Sequence, residues 1–204
     1  MSEDNLYVIK RTAVMSNDPA ELGFKISLPA TFTDLKAAKV AARGLLEEEG
    51  YNTEFFPVYA VKDNVSNWQY GDGVLVHAEV PGEAEFEVGI DTVQNTIGAK
   101  PDSSGRVTTP LFYIVQTMID YNTDRSGRKR QYVVEGAYAE QKAAREQAIK
   151  ILLDEDTKKE DFAEYNEHGT DADWAFGDEV VVHAVDEGGM NILVSVIQSG
   201  EKTE

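Results

Sequence analysis

The chain contains no cysteine, which excludes a disulfide framework, a thiolate zinc site, an iron–sulfur cluster and a cysteine nucleophile. Histidine is nearly as scarce, at three residues, so any imidazole chemistry has to be built from His77, His168 and His183. No apolar run approaches the roughly 18 residues that mark a membrane-spanning helix. The opening Met1-Ser2-Glu3-Asp4 is acidic where a secretory leader needs a basic region followed by an apolar one. Positive charge is also short: 19 Lys+Arg stand against 37 Asp+Glu, a formal net charge of -18. Such acidity repels polyanions and disfavours nucleic acid as a partner. Missing too are the P-loop glycine-lysine sequence, the dinucleotide G-x-G-x-x-G, the H-E-x-x-H zinc helix and the calcium-loop spacing. These absences predict an acidic, soluble, cytoplasmic protein with no resident metal or cofactor and no membrane association.

What is present is a globular composition, with 42% apolar residues over 204 positions, enough for one large or two small domains. Internal similarity decides between these. Trp68-Gln-Tyr-Gly-Asp-Gly-Val-Leu-Val-His-Ala78 matches Trp174-Ala-Phe-Gly-Asp-Glu-Val-Val-Val-His-Ala184 at seven of eleven positions, at an offset of 106. The same offset pairs Tyr7 with Tyr113, Phe32 with Tyr138, Lys36-Ala37-Ala38 with Lys142-Ala143-Ala144, Phe56 with Phe162 and Tyr59 with Tyr165. A period this long exceeds solenoid repeats and implies two homologous domains. Their expected bounds are 1–97 and 111–204, joined by a linker over 98–110 that is rich in Gly, Pro and Ser. The charge is shared, with net -8 over residues 1–106 (9 basic, 17 acidic) and net -10 over 107–204 (10 basic, 20 acidic).

Each copy reads as a mostly antiparallel β-β-α-β-β unit of the α+β class. Leu6 to Met15 and Leu111 to Tyr121 are rich in Tyr, Val, Ile and Thr and predict first strands. Turn residues follow at Ser16-Asn17-Asp18-Pro19 and at Asn122 to Gly127, then second strands over Phe24 to Leu28 and Gln131 to Val134. Thr33-Asp34 supplies a helix start ahead of Ala38, Ala42, Leu45 and Leu46 at helical spacing, and Ala144, Ala148, Ile151 and Leu152 repeat that spacing. A helix of about four turns is expected in each copy. A less regular segment leads to the repeated motif, after which Val74, Val76 and Ala78 alternate, and Phe86, Val88 and Ile90 return as a last strand. One sheet face then needs a cover besides the helix, and pseudo-twofold packing of the copies on each other is the expected solution.

The motif Trp-x-[Tyr/Phe]-Gly-Asp-x-Val-x-Val-His-Ala is the main functional candidate. Its aromatics suit closure of a sheet end, its glycine a restricted backbone and its aspartate a turn. The residues singled out are Trp68, Tyr70, Asp72 and His77 with Trp174, Phe176, Asp178 and His183, read as lining a ligand or partner groove between the repeats. The leading expectation is a non-catalytic binding or protein-interaction module, acting on a protein or small molecule as a monomer or homodimer. An enzyme using the paired His and Asp, with a divalent metal as an option, is the alternative; Ser195 lacks a nucleophile-elbow sequence. A third reading is an acidic regulator of a basic protein. Arg125, Arg128, Lys129 and Arg130 form the only concentrated basic run, at a predicted hairpin turn, and copy one has no counterpart. His168 is read as an exposed loop residue.

Overall fold

The computed structural model describes residues 5–15, 24–63, 67–169 and 174–200. The turn expected at Ser16-Asn17-Asp18-Pro19 and the terminus Met1-Ser2-Glu3-Asp4 lie outside the described residues. The chain divides into two compact units at Thr109/Pro110, with Ser199 and Gly200 falling to the first. Each is one five-stranded antiparallel sheet with one helix, the duplicated α+β unit.

The first unit runs β1 (Asn5–Met15), β2 (Phe24–Phe32), α1 (Leu35–Glu48), β3 (Val58–Val61), β4 (Val74–Val80) and β5 (Ala84–Gln94). Its sheet order is β2-β1-β5-β4-β3, which places the first and last long strands side by side at the centre. The second unit repeats this as β6 (Phe112–Asp120), β7 (Arg130–Tyr138), α2 (Gln141–Ala148), β8 (Glu164–Glu167), β9 (Val180–Val185) and β10 (Met190–Gln198), in the order β7-β6-β10-β9-β8.

α1 forms because its apolar residues fall on one stripe, and it begins where the Asp34 carboxylate accepts a 2.7 Å hydrogen bond from the Ala37 amide. Ala38, Ala42, Leu45 and Leu46 pack against Ile9, Ala13, Phe32, Val76, Ala78, Phe86 and Val88. The small alanines let the helix approach the sheet closely, and Tyr51, Phe56 and Phe86 fill its far end, with ring centroids 5.0 Å (Tyr51 to Phe86) and 5.8 Å (Phe56 to Phe86) apart. In the second unit Ala144 and Ala148 do the same against Ile114, Val182, Ala184, Val194 and Val196. α2 is shorter than expected: after Ala148 the chain tightens into bonds from Ile151 to Ala148 and from Leu153 to Lys150, and Ile151 and Leu152 reach the core from that turn. Glu140 provides no side-chain cap for α2, unlike Asp34 for α1.

Three further differences from the sequence reading have physical causes. A short strand, β3 or β8, occupies the segment read as irregular and pairs with the strand carrying the histidine. β2 continues past Pro29 because the β1–β2 register shifts there, and an edge strand accommodates a residue without an N–H at such a shift; β7 likewise continues past Glu135. Finally, β6 is one residue out of the 106 offset. Tyr7 sits opposite Thr92 and Phe32, and Phe112, not Tyr113, sits opposite Gln198 and Tyr138. Since side chains alternate along a strand, that slip puts Tyr113 on the face opposite to that of Tyr7.

The segment 98–107, read as linker, closes on the edge of β2. Val107 donates to Thr31 O at 2.8 Å, Thr33 donates to Gly105 O at 3.0 Å, and the Val107 side chain is buried. Among the described residues no helix is long and apolar enough to cross a membrane.

Candidate functional site

In both units the repeated motif builds the same ladder of rings. The turn before β4 holds Gly71 at φ 96°, and the turn before β9 holds Gly177 at φ 93°, a left-handed backbone that glycine adopts without a Cβ penalty. That conformation aims the glycine carbonyl at the indole: Trp68 Nε1 donates to Gly71 O at 2.7 Å, and Trp174 Nε1 donates to Gly177 O at 2.8 Å. Each tryptophan meets the next aromatic edge to face, with 5.0 Å between centroids and interplanar angles of 71° (Trp68 to Tyr70) and 70° (Trp174 to Phe176). The aromatic then lies flat on the histidine: Tyr70 on His77 at 3.9 Å and 12°, Phe176 on His183 at 4.1 Å and 17°.

Register determines what else surrounds each imidazole. β4 carries a bulge at Leu75 and β9 one at Val181, so that Leu75 joins Val76, and Val181 joins Val182, in the helix-facing core. Leu75 therefore does not share the face of His77 as strict alternation required. His77 lies across from Glu87 on β5, and Glu79 lies across from Glu85. On this face Glu87 Oε1 is 3.5 Å and Glu85 Oε1 4.0 Å from Nδ1, while Glu79 Oε2 is 3.8 Å from Nε2. The His77 side chain is 5% exposed, and its buried Nδ1 has no hydrogen-bond partner among the described residues. Burial lowers the pKa of His77, but hydrogen bonding of the protonated ring to Glu87 and the charges of Glu85, Glu87 and Glu79 outweigh it and raise the pKa above 6.5.

The equivalent positions in the second unit hold Val185, Asn191 and Leu193, and the chemistry changes. Asn166 Nδ2 donates to His183 Nδ1 at 3.4 Å, and His183 Nε2 donates to Asn191 Oδ1 at 3.3 Å, a chain of bonds that suits the Nε2–H tautomer. His183 is thus bonded at both ring nitrogens by neutral groups.

Within each unit the structure brings together Trp68, Tyr70 and His77, and Trp174, Phe176 and His183. The aspartates are placed differently. Asp72 stands exposed on the turn, where the Lys62 ammonium reaches its backbone oxygen at 2.8 Å and its carboxylate at 3.6 Å. Asp178 is likewise exposed, and its backbone oxygen accepts from Arg145 at 3.1 Å. Lys62 and His168 are equivalent positions beside the ladder. The Lys62 ammonium lies 5.9 Å over Trp68, whereas the His168 ring meets Trp174 edge-on at 5.2 Å and accepts from Arg145 at 3.2 Å. His168 is consequently half-buried and engaged. Ser195 is buried on β10, opposite Val180 on one side and Val115 on the other.

The basic run occupies the β6–β7 hairpin. Asp124 organises it, accepting from the Ser126 hydroxyl at 2.6 Å and the Lys129 amide at 2.9 Å. The Ser126 hydroxyl, the Lys129 amide and further backbone donors hold its pKa at about 2. Arg130 is anchored to Gly127 O at 2.8 Å, while Arg125, Arg128 and Lys129 are exposed.

Glu79, Glu85 and Glu87 are the site residues that the sequence reading missed. The signal was the complement of Phe86, Val88 and Ile90: alternation on β5 leaves Glu85 and Glu87 on one face, and a hairpin returns that face to His77. Fold and ladder together define the class, a duplicated α+β unit whose histidine is stacked on an aromatic beside a tryptophan-capped turn. No family model, curated protein or solved structure matches this chain significantly.

Proposed function

We propose that the protein is a non-catalytic binding module built by duplication, each repeat binding through the strand face that carries its stacked histidine. The observation supporting this is a retained frame with a changed surround. The indole, aromatic and imidazole rings keep the same spacing in both units, whereas three carboxylates on one face become Val185, Asn191 and Leu193 on the other. Catalysis needs its reacting groups kept in mutual geometry. Recognition needs rigid support beneath contact residues that can vary. Under this reading the first repeat takes a cationic or basic ligand and the second a neutral one. A cytoplasmic setting belongs to the same proposal, and a composition without cysteine is compatible with it.

Native mass spectrometry of the untagged full chain, recovered gently from its expressing cells, tests this. A retained ligand or partner mass is expected, and it should be lost in Tyr70→Ala or Phe176→Ala. Turnover of an esterase, phosphatase or peptidase substrate that disappears in a folded His77→Gln or His183→Gln variant would overturn the reading.

A further inference from the structure

His77 and its glutamates have the composition of a ligand set. Across the β4–β5 hairpin, His77 and Glu79 face Glu87 and Glu85 as a two-by-two square of side chains. Donor atoms of His77, Glu85 and Glu87 all lie within 4.8 Å of one another. Acidic side chains on a surface are common without a ligand, so the decisive feature is the imidazole. Its side chain is 5% exposed, and its Nδ1 points at Glu87 and Glu85 with no hydrogen-bond partner among the described residues. Buried polar atoms are ordinarily satisfied, and an exception calls for a partner.

We propose that the first repeat binds one divalent first-row transition cation, Zn²⁺ foremost, between His77 Nδ1 and the carboxylates of Glu85 and Glu87. The donor set of one nitrogen and two oxygens suits such ions, with water completing the coordination. Bonds near 2.1 Å in a tetrahedral arrangement imply donor separations of about 3.4 Å. The distance from Nδ1 to Glu87 Oε1, 3.5 Å, is already of that order, and that to Glu85 Oε1 is 4.0 Å. The Glu85 side chain is 45% exposed and closes this gap by rotamer adjustment at little cost. Tyr70, stacked at 3.9 Å, fixes the plane of the ring. The second ring nitrogen, Nε2, has Glu79 Oε2 at 3.8 Å, outside hydrogen-bond distance but close enough for a side-chain rotation to make this carboxylate the outer partner that leaves Nδ1 free to ligate. The cation also relieves repulsion among carboxylates crowded on one face of an already anionic chain.

The second repeat is an internal control. His183 has the same aromatic stack, but Asn191 and Leu193 replace Glu85 and Glu87, and both its nitrogens are bonded to asparagines. At the positions of Glu85 and Glu87 it offers no carboxylate, and Glu164 on this face is engaged by Asn166 Nδ2 at 2.8 Å. In the sequence the only trace of this set is the alternation that leaves Glu85 and Glu87 on the other face from Phe86 and Val88, and its acidic members are not shared between the copies.

The inference rests on the binding-module reading only in taking the His77 face as a binding surface. Its test reads the cation directly, so its failure leaves the mass and turnover tests above to stand separately. Zn²⁺ is titrated into the untagged, chelator-treated full chain by calorimetry, and Mn²⁺ into the ¹⁵N-labelled chain for paramagnetic broadening. One equivalent of Zn²⁺ is expected, weakened at least about tenfold in Glu85→Gln and in Glu87→Gln, lost in His77→Gln and unchanged in His183→Gln. Mn²⁺ should broaden the amides around His77, Glu85 and Glu87 first. No saturable Zn²⁺ binding, binding that survives His77→Gln, or broadening centred elsewhere would each overturn the proposal. The Mn²⁺ readout uses unaltered protein and therefore holds even if a variant fails to fold.

Discussion

Phe176→Ala is the perturbation that most directly tests whether the ring ladder holds the sheet end together. Phe176 is half-buried, stacked at 4.1 Å on His183 and edge-on at 5.0 Å to Trp174. Truncating a fully buried Phe costs about 3 to 5 kcal/mol; at half burial the transfer and cavity part falls to about 2 kcal/mol. Each ring contact adds about 0.5 to 1 kcal/mol beyond area. With two such contacts, a loss of about 3 to 4 kcal/mol follows. Phe55, 76% exposed on the first repeat, provides an exposed-ring control read by far-UV circular dichroism, and Phe55→Ala should stay within about 0.5 kcal/mol.

Tryptophan placement makes the assay selective, since the chain has two, one in each ladder. In a Trp68→Phe background, Trp174 fluorescence during urea denaturation reports on the second repeat alone, with far-UV circular dichroism as a second probe. The midpoint should fall for Phe176→Ala without a change in slope. A Trp174→Ala and Phe176→Ala double-mutant cycle, followed by circular dichroism, should give a coupling of about 1 kcal/mol. A Phe176→Ala loss no larger than that of Phe55→Ala would refute the ladder as a structural device.

Further outcomes follow from other contacts. His77 has a raised folded pKa, so it contributes stability that is fully present below its unfolded value near 6.5 and lost as pH rises through the folded value. Proton NMR of the chelator-treated protein should put the His77 midpoint above 6.5, and Glu79→Val with Glu85→Asn and Glu87→Leu, which copies the second repeat, should lower it; an unmoved midpoint would remove the carboxylates as the cause. Asp124 works in the opposite sense: its pKa of about 2 lies below 3.8, so its contribution is present above 3.8 and fades as pH falls toward 2. The Lys129 and Ser126 amides should gain exchange rate across that acid window, and constant protection there would count against the turn's dependence on Asp124. Arg11 is buried on β1 and ion-paired to Glu49 at the end of α1. Glu49→Ala strands that charge and should cost about 3 kcal/mol in chemical denaturation, whereas a loss under about 0.5 kcal/mol, the surface-pair value, would place the pair in effectively open solvent.

Sequence alone gave good access to features that depend on a repeating period and poor access to those that depend on register. Ala38, Ala42, Leu45 and Leu46 declare α1 because a helix stripe needs only spacing, and they form the helix side of the core. β8 could not be seen the same way. Glu164, Tyr165, Asn166 and Glu167 carry no alternation, and the strand exists because β9 offers it an edge. Pro29 read as a strand end, although a register shift absorbs it. Aligning Tyr7 with Tyr113 followed residue identity, yet the hydrogen-bonded partners equate Tyr7 with Phe112. Glu85 and Glu87 escaped notice for a related reason: alternation picks out the apolar face, and which polar residues meet across a hairpin depends on the pairing of His77 with Glu87.

That distinction bears on where function resides in a duplicated protein. The motif repeated most faithfully, Trp-x-aromatic-Gly-Asp leading into Val-His-Ala, is occupied with itself: the indole bonds the turn, the aromatic covers the histidine, and the aspartates face solvent. Residues with capacity to spare sit on the neighbouring strand, where the copies differ. Asn191 spends its oxygen on His183, whereas Glu85 and Glu87 stand beside a His77 nitrogen that has no hydrogen-bond partner among the described residues. A search guided by shared residues alone finds the support. The difference between the copies finds the face on which that support acts, and in the first repeat that face is anionic.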